Sequence, residues 1–146
     1  MRIVIVAALN LAIALFAAPP ASAENGAARD GAKPFAYVTV VGAPGDGDQV
    51  LAAALTRHLA ARGLQPAAAL QANVYEVQGT VRVAPAAKGK ESIAIIWVVL
   101  GPDGKQLGIT RQTKNVRKGS LNKTWGKAAD TAAAAAAQDI AKLIPR

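Results

Sequence analysis

Few residues in this chain combine the type and the spacing that covalent chemistry needs. Ser120-Leu-Asn-Lys123 sets a serine three residues before a lysine, the arrangement in which an amine activates a serine hydroxyl in penicillin-recognising enzymes. The companion Ser-Asp-Asn and Lys-Thr-Gly sequences of those enzymes do not occur, and Ser120 stands where a helix needs a capping hydroxyl. His58 is the single histidine, and one imidazole builds neither a metal site nor a triad, so it reads as a partly buried structural side chain. Glu76 and Glu91 have the types of an acid and a base, yet they fall on separate strands with no pocket implied and read as solvated sheet charges. Gly42-Ala-Pro-Gly-Asp-Gly47 follows a strand and opens a helix, the context of a phosphate loop. Its Asp46, with Asp48 beyond it, puts negative charge where a phosphate would sit, and the loop has too few carboxylates for calcium. The chain has no cysteine, which excludes disulfides, thiol nucleophiles and zinc-thiolate sites. No catalytic residue, metal or cofactor is expected.

Binding chemistry is better represented. Lys105, Arg111, Lys114, Arg117, Lys118, Lys123 and Lys127 occupy one window that contains neither Asp nor Glu. Such a window sets up a positive potential able to hold an anionic partner. Arg111, Lys114, Arg117, Lys118, Lys123 and Lys127 are the expected contact residues.

The compartment limits what that partner can be. Met1-Arg2, an apolar run from Ile3 to Ala18 broken by Asn10, and Ala21-Ser22-Ala23 make up a secretory leader with cleavage expected after Ala23. Losing the leader removes one basic residue, Arg2, and no acidic one, so the formal charge falls from +8 to +7. The run is short for a membrane span, which needs ~20 residues. The product is therefore expected in the periplasm and not spanning a membrane after cleavage. There, lipid head groups, other envelope polyanions or an envelope protein are available partners, and nucleic acid is not. Residues 1–23 are thus assigned to the leader, 24–34 to a disordered Gly-, Ala- and charge-rich linker, and 35–146 to one domain.

The elements that must carry these residues follow from periodicity. Phe35 to Val41 reads as a strand with both faces largely apolar, which implies cover on each side. Asp48 caps a helix over 49–62, whose apolar stripe is Val50, Leu51, Ala54, Leu55, His58 and Leu59 and whose end is marked by Gly63. From Leu64 to Ala72 the pattern is mixed and reads as connecting chain. Tyr75, Val77, Gly79, Val81 and Val83 alternate with Glu76, Gln78, Thr80 and Arg82, the signature of a strand with one wet face. Ile93 to Leu100, the turn Gly101-Pro-Asp-Gly104 and Lys105 to Val116 make a long hairpin. Its first strand is apolar on both faces, which places it inside the sheet. Its return strand puts Leu107, Ile109, Arg111 and Thr113 on one face, and Gly108, Thr110, Gln112 and Lys114 on the other. Ser120 then caps a final helix over 121–144 whose stripe is Leu121, Trp125, Ala128, Ala132, Ala136, Ile140 and Leu143. Trp97 and Trp125 are expected in one core, and a large residue at Ala132 or Ala136 is expected to overpack the helix against the sheet. The order defines an α+β fold, a two-layer β-α-β-β-β-α sandwich with a mostly antiparallel sheet and both helices on one face.

Trp97-Val-Val-Leu-Gly-Pro-Asp-Gly-Lys-Gln-Leu-Gly108, Gln112, Gly119-Ser-Leu121, Trp125-Gly126 and the Ala-rich helix resemble a group of small uncharacterised proteobacterial envelope proteins, many of them lipoproteins. The resemblance covers about residues 35 to 144. More loosely, the element order resembles the lipopolysaccharide-assembly lipoprotein, the auxiliary lipoproteins of lipid-exporting transporters and the amino-terminal domain of TolB. This sequence departs from the lipoproteins in having no cysteine at the cleavage site. The resemblance implies non-enzymatic envelope scaffolding or lipid handling. The expectation is an accessory protein that binds an anionic envelope component or a protein partner through its basic face. The alternatives are a structural subunit that adds its exposed edge strand to a partner sheet, and a small serine hydrolase that would lose activity on Ser120→Ala.

Overall fold

In the computed structural model, residues 32–146 are described. The expected leader and all but the last three residues of the expected linker lie outside them. The elements run β1 (Phe35–Val41), α1 (Gly47–Ala61), β2 (Gln65–Pro66), β3 (Val74–Ala86), β4 (Lys90–Leu100), β5 (Gln106–Arg117) and α2 (Gly126–Leu143). One five-stranded sheet has the order β2-β1-β3-β4-β5. β1 pairs parallel with β2 and β3, and two long antiparallel ladders join β3 to β4 and β4 to β5. The fold is the expected α+β sandwich with one short strand added. None of the described helices is long and apolar enough to cross a membrane.

The period of two sorts every strand. Ala36 and Val40, Val77 and Val81, and Ile93, Ile95, Trp97 and Val99 are all buried on the helix side. They meet Leu51, Leu55 and Leu59 of α1 and Ala129, Ala133, Ala136, Ala137 and Ile140 of α2 in one core. Trp97 has Gly79 as its cross-strand partner. A Cβ at residue 79 would lie 2.5 Å from the indole ring, so only glycine lets the largest core side chain lie flat on β3. The other face has no layer over it among the described residues. Phe35 and Val41 are 43% and 59% exposed there, so the cover expected on both sides of β1 exists on one side alone.

β3 and β4 each run three residues further toward their shared turn than the sequence reading has them, to Ala86 and from Lys90, and three other differences bear on the site. Asp46, not Asp48, precedes α1. Asp48 sits inside the first turn and its carboxylate accepts from the Ala43 backbone N–H at 2.8 Å. α2 begins at Gly126, five residues later than expected. Gly119 takes a φ of +75°, the chain from Lys118 to Leu121 forms turns, and Ser120 lies outside any helix. Leu121 and Trp125 are buried as expected, but a turn brings them in and not helical spacing. Finally, Gln65–Pro66, read as connecting chain, adds to the edge of β1 and its Gln65 N–H donates to Pro34 O at 2.8 Å.

Candidate binding site

The residues with chemical potential are dispersed by the fold. Ser120 and Lys123 are exposed in the β5–α2 connection. Glu76 pairs across to Leu100 and Glu91 to Pro85. That is nine positions along β3, or roughly 30 Å at ~3.3 Å per residue, too far for acid–base work. Glu76 accepts from the Gln78 side chain at 2.8 Å, and Glu91 accepts from the Gly119 N–H at 3.1 Å. His58 Nε2 lies 2.9 Å from Asp130 Oδ1, with Arg57 3.5 Å from the same oxygen. The hydrogen bond with His58 is the first cause that holds the Asp130 carboxyl below its ordinary value, and the charges of His58 and Arg57 add to it.

Asp46 and Asp48 have structural partners. Asp46 Oδ1 accepts from the Trp125 backbone N–H at 2.9 Å, and the Asp46 N–H donates to Lys123 O at 3.1 Å. The Trp125 indole N–H donates to Pro44 O at 2.8 Å. A Cβ at Gly47 would stand 2.5 Å from that indole, and one at Gly45, whose φ is +64°, would stand 2.6 Å from Lys123 O. The two loops close on each other as a clasp that fixes the start of α2, and the phosphate-like glycines serve this contact.

The six expected basic contacts do not share one face. Arg111 and Arg117 project from the open side of β5, and Lys114 from the helix side. Lys118 and Lys123 lie in the connection, and Lys127 in the first turn of α2. All six are exposed, and among the described residues none is in an ion pair.

A feature the sequence reading missed lies beside Lys114. A cavity of about 220 Å³ separates the second half of β5 from the start of α2. Its floor is Ile93, Ile95, Leu121 and Trp125, and its helix wall is Ala128, Ala132 and Ala135. Gln112, Lys114 and Thr131 supply the polar groups. The cause is visible in how α2 is held. At its far end Leu143 packs on Gly108, where a Cβ would come within 2.8 Å, and at its near end the clasp holds Trp125. Between these points the side chains facing β5 are Ala128, Ala132 and Ala135 with Thr131 at the rim, too short to fill the gap. Ala132 therefore borders space, so the overpacking expected there applies to Ala136 and to Ala133, which are 1% and 0% exposed. Gln112 Nε2 donates to Ala132 O at 3.1 Å. A carbonyl only accepts, so this bond fixes the amide orientation. Gln112 Oε1, with Thr110 Oγ1 and Trp97 Nε1, is buried without a partner.

No family model matches the sequence, and no curated protein matches it. Solved structures do resemble it. A PelC dodecamer variant from Paraburkholderia phytofirmans aligns at 16% identity and a TM-score of 0.51, over 77% of this chain and 90% of that one. An uncharacterised protein aligns at 15% identity and a TM-score of 0.53, over 77% and 93%. A lipoprotein from Neisseria meningitidis aligns at 11% identity and a TM-score of 0.48, over 75% and 99%. The first two similarities establish the fold. Uncharacterised proteins and bacterial lipoproteins are both among the structures that the chain resembles.

Proposed function

We propose that this chain is an exported, non-enzymatic subunit of a cell-envelope assembly, and that it meets other copies of itself with the open side of β4 and β5. One observation carries the reading. β4 is apolar on both faces, the pattern of a strand buried on both sides, yet among the described residues the helices cover one side only. On the uncovered side Val98 stands opposite Ile109, with Ile96 and Leu100 flanking Val98, and Ile109 is 54% exposed. β5 is also the outer strand of the sheet and twelve residues long, a row of backbone groups suited to pairing with another chain. The secretory leader supports export. The dodecameric state of the PelC structure supports self-association of this fold. Contact rather than catalysis is supported by the exposed Ser120 and by the wide separation of Glu76 and Glu91. Sedimentation velocity on the purified protein tests the reading: an assembly that Ile109→Asp dissolves is expected. Turnover of an acyl substrate that Ser120→Ala abolishes would replace it with the hydrolase.

A second reading is favoured by the six exposed cations that have no acidic partner among the described residues. Lys114 lines the cavity at the start of α2, Lys118 and Lys123 lie in the connection leading to it and Lys127 in its first turn; these would hold an anionic envelope component there, with Arg111 and Arg117 on the opposite side of the sheet. Co-sedimentation with anionic but not neutral vesicles, lost in high salt, is its expected signature.

A further inference from the structure

We infer that the cavity between β5 and α2 is a binding site for a single-chain anionic amphiphile, its acyl chain against Trp125 and the alanine wall and its anionic head at Lys114. The inference deepens the second reading above and rests on it for the choice of an anionic partner.

Size, lining and charge each select this class. A dry apolar cavity of ~150 Å³ admits benzene, so about 220 Å³ accommodates a chain of roughly eight to ten carbons. The floor is apolar and buried, which favours hydrocarbon. Lys114, Thr131 and Ala135 are exposed and form the mouth, so a head group there stays in water while the chain goes in. Among the described residues no acidic side chain lines the cavity, and the Lys114 ammonium at the mouth complements a carboxylate or a phosphate.

The test titrates the purified protein with decanoate and decanol, following heat and Trp fluorescence. Expected are saturable binding of the acid and weak binding of the alcohol. Ala132→Phe fills the cavity and is expected to abolish binding with an unchanged circular dichroism spectrum. Lys114→Glu is expected to cost the acid at least ten-fold and leave the alcohol unchanged. Acid binding that survives Ala132→Phe, or no binding of either, overturns the site. Equal binding of acid and alcohol, indifferent to Lys114→Glu, overturns the anionic head group. Vesicles made of phosphatidylglycerol separate this inference from the reading beneath it. Sedimentation with them that persists in Ala132→Phe, in a protein that ignores decanoate, sinks the cavity and spares the basic surface. Failure of the wild-type protein to sediment removes the basic surface itself.

Discussion

Trp97 and Val98 are neighbours in β4 and face opposite ways. Trp97 is fully buried between the ring-shaped gap left by Gly79 and the helix layer, whereas Val98 lies on a side over which the described residues place nothing. The two faces of one sheet therefore obey different rules. On the helix side, volume is tightly specified along α1, the clasp and the far end of α2, and is left open beside Lys114. On the other side, the β4 side chains Ile96, Val98 and Leu100 with Ile109 are apolar enough for a core but touch no second layer among the described residues, between the polar Gln78, Thr80 and Arg82 of β3 and the Arg111 and Arg117 of β5. A face built to hold the chain together should respond to substitution through stability. A face kept for a partner should respond through assembly.

The largest expected effect breaks the first face. Trp97→Ala should cost about 3–5 kcal/mol in a denaturant titration, while Val98→Ala should cost about 1 kcal/mol or less. Next comes a contrast within α2. Ala133→Leu, against the fully buried core, should destabilise by about 1–3 kcal/mol. Ala132→Leu, which faces the cavity one residue away, should fall within about 0.5 kcal/mol of the parent. Equal costs would mean that the cavity does not persist in solution. Asp46→Ala removes the carboxylate that receives the Trp125 N–H and should lose about 1 kcal/mol, read as a lowered melting temperature. The smallest effect concerns pH. The Asp130 carboxyl is held below its ordinary value in the folded chain, so its contribution is present above the ordinary carboxylate range and is lost as pH falls through the lowered value. Asp130→Asn should flatten that acid limb slightly, and a steeper limb would reverse the sign.

How much of this was legible in the sequence depended on whether a signal was local. The alternation in β3 placed its faces without ambiguity, because each residue's side is set by its neighbours two away, whereas the run of β4, apolar on both faces, placed that strand inside the sheet without showing which side the helices cover. The start of α2 was not legible. Leu121, Trp125 and Ala128 keep helical spacing, but the first two are buried by a turn at Gly119 and by bonds that Trp125 donates to Pro44 and Asp46, residues far away in the chain. Gln65–Pro66 is too short to show any period. The dispersal of the basic residues was partly readable, since Arg111 and Lys114 differ by an odd number within one strand and must point to opposite sides. The cavity was not, because a row of alanines describes a tight contact and a gap equally well until the height of the helix above β5 is known. Ala128, Ala132 and Ala135 at steps of four and three were the only trace of it.

The comparison of the two faces comes to a single measurement, sedimentation velocity of the wild-type protein beside Ile109→Asp, with the unfolding midpoint of each recorded. The account predicts a wild-type species larger than one chain, reduced to a single chain by Ile109→Asp with the midpoint unchanged. A wild-type protein that sediments as one chain at every concentration, or an assembly indifferent to Ile109→Asp, would contradict it.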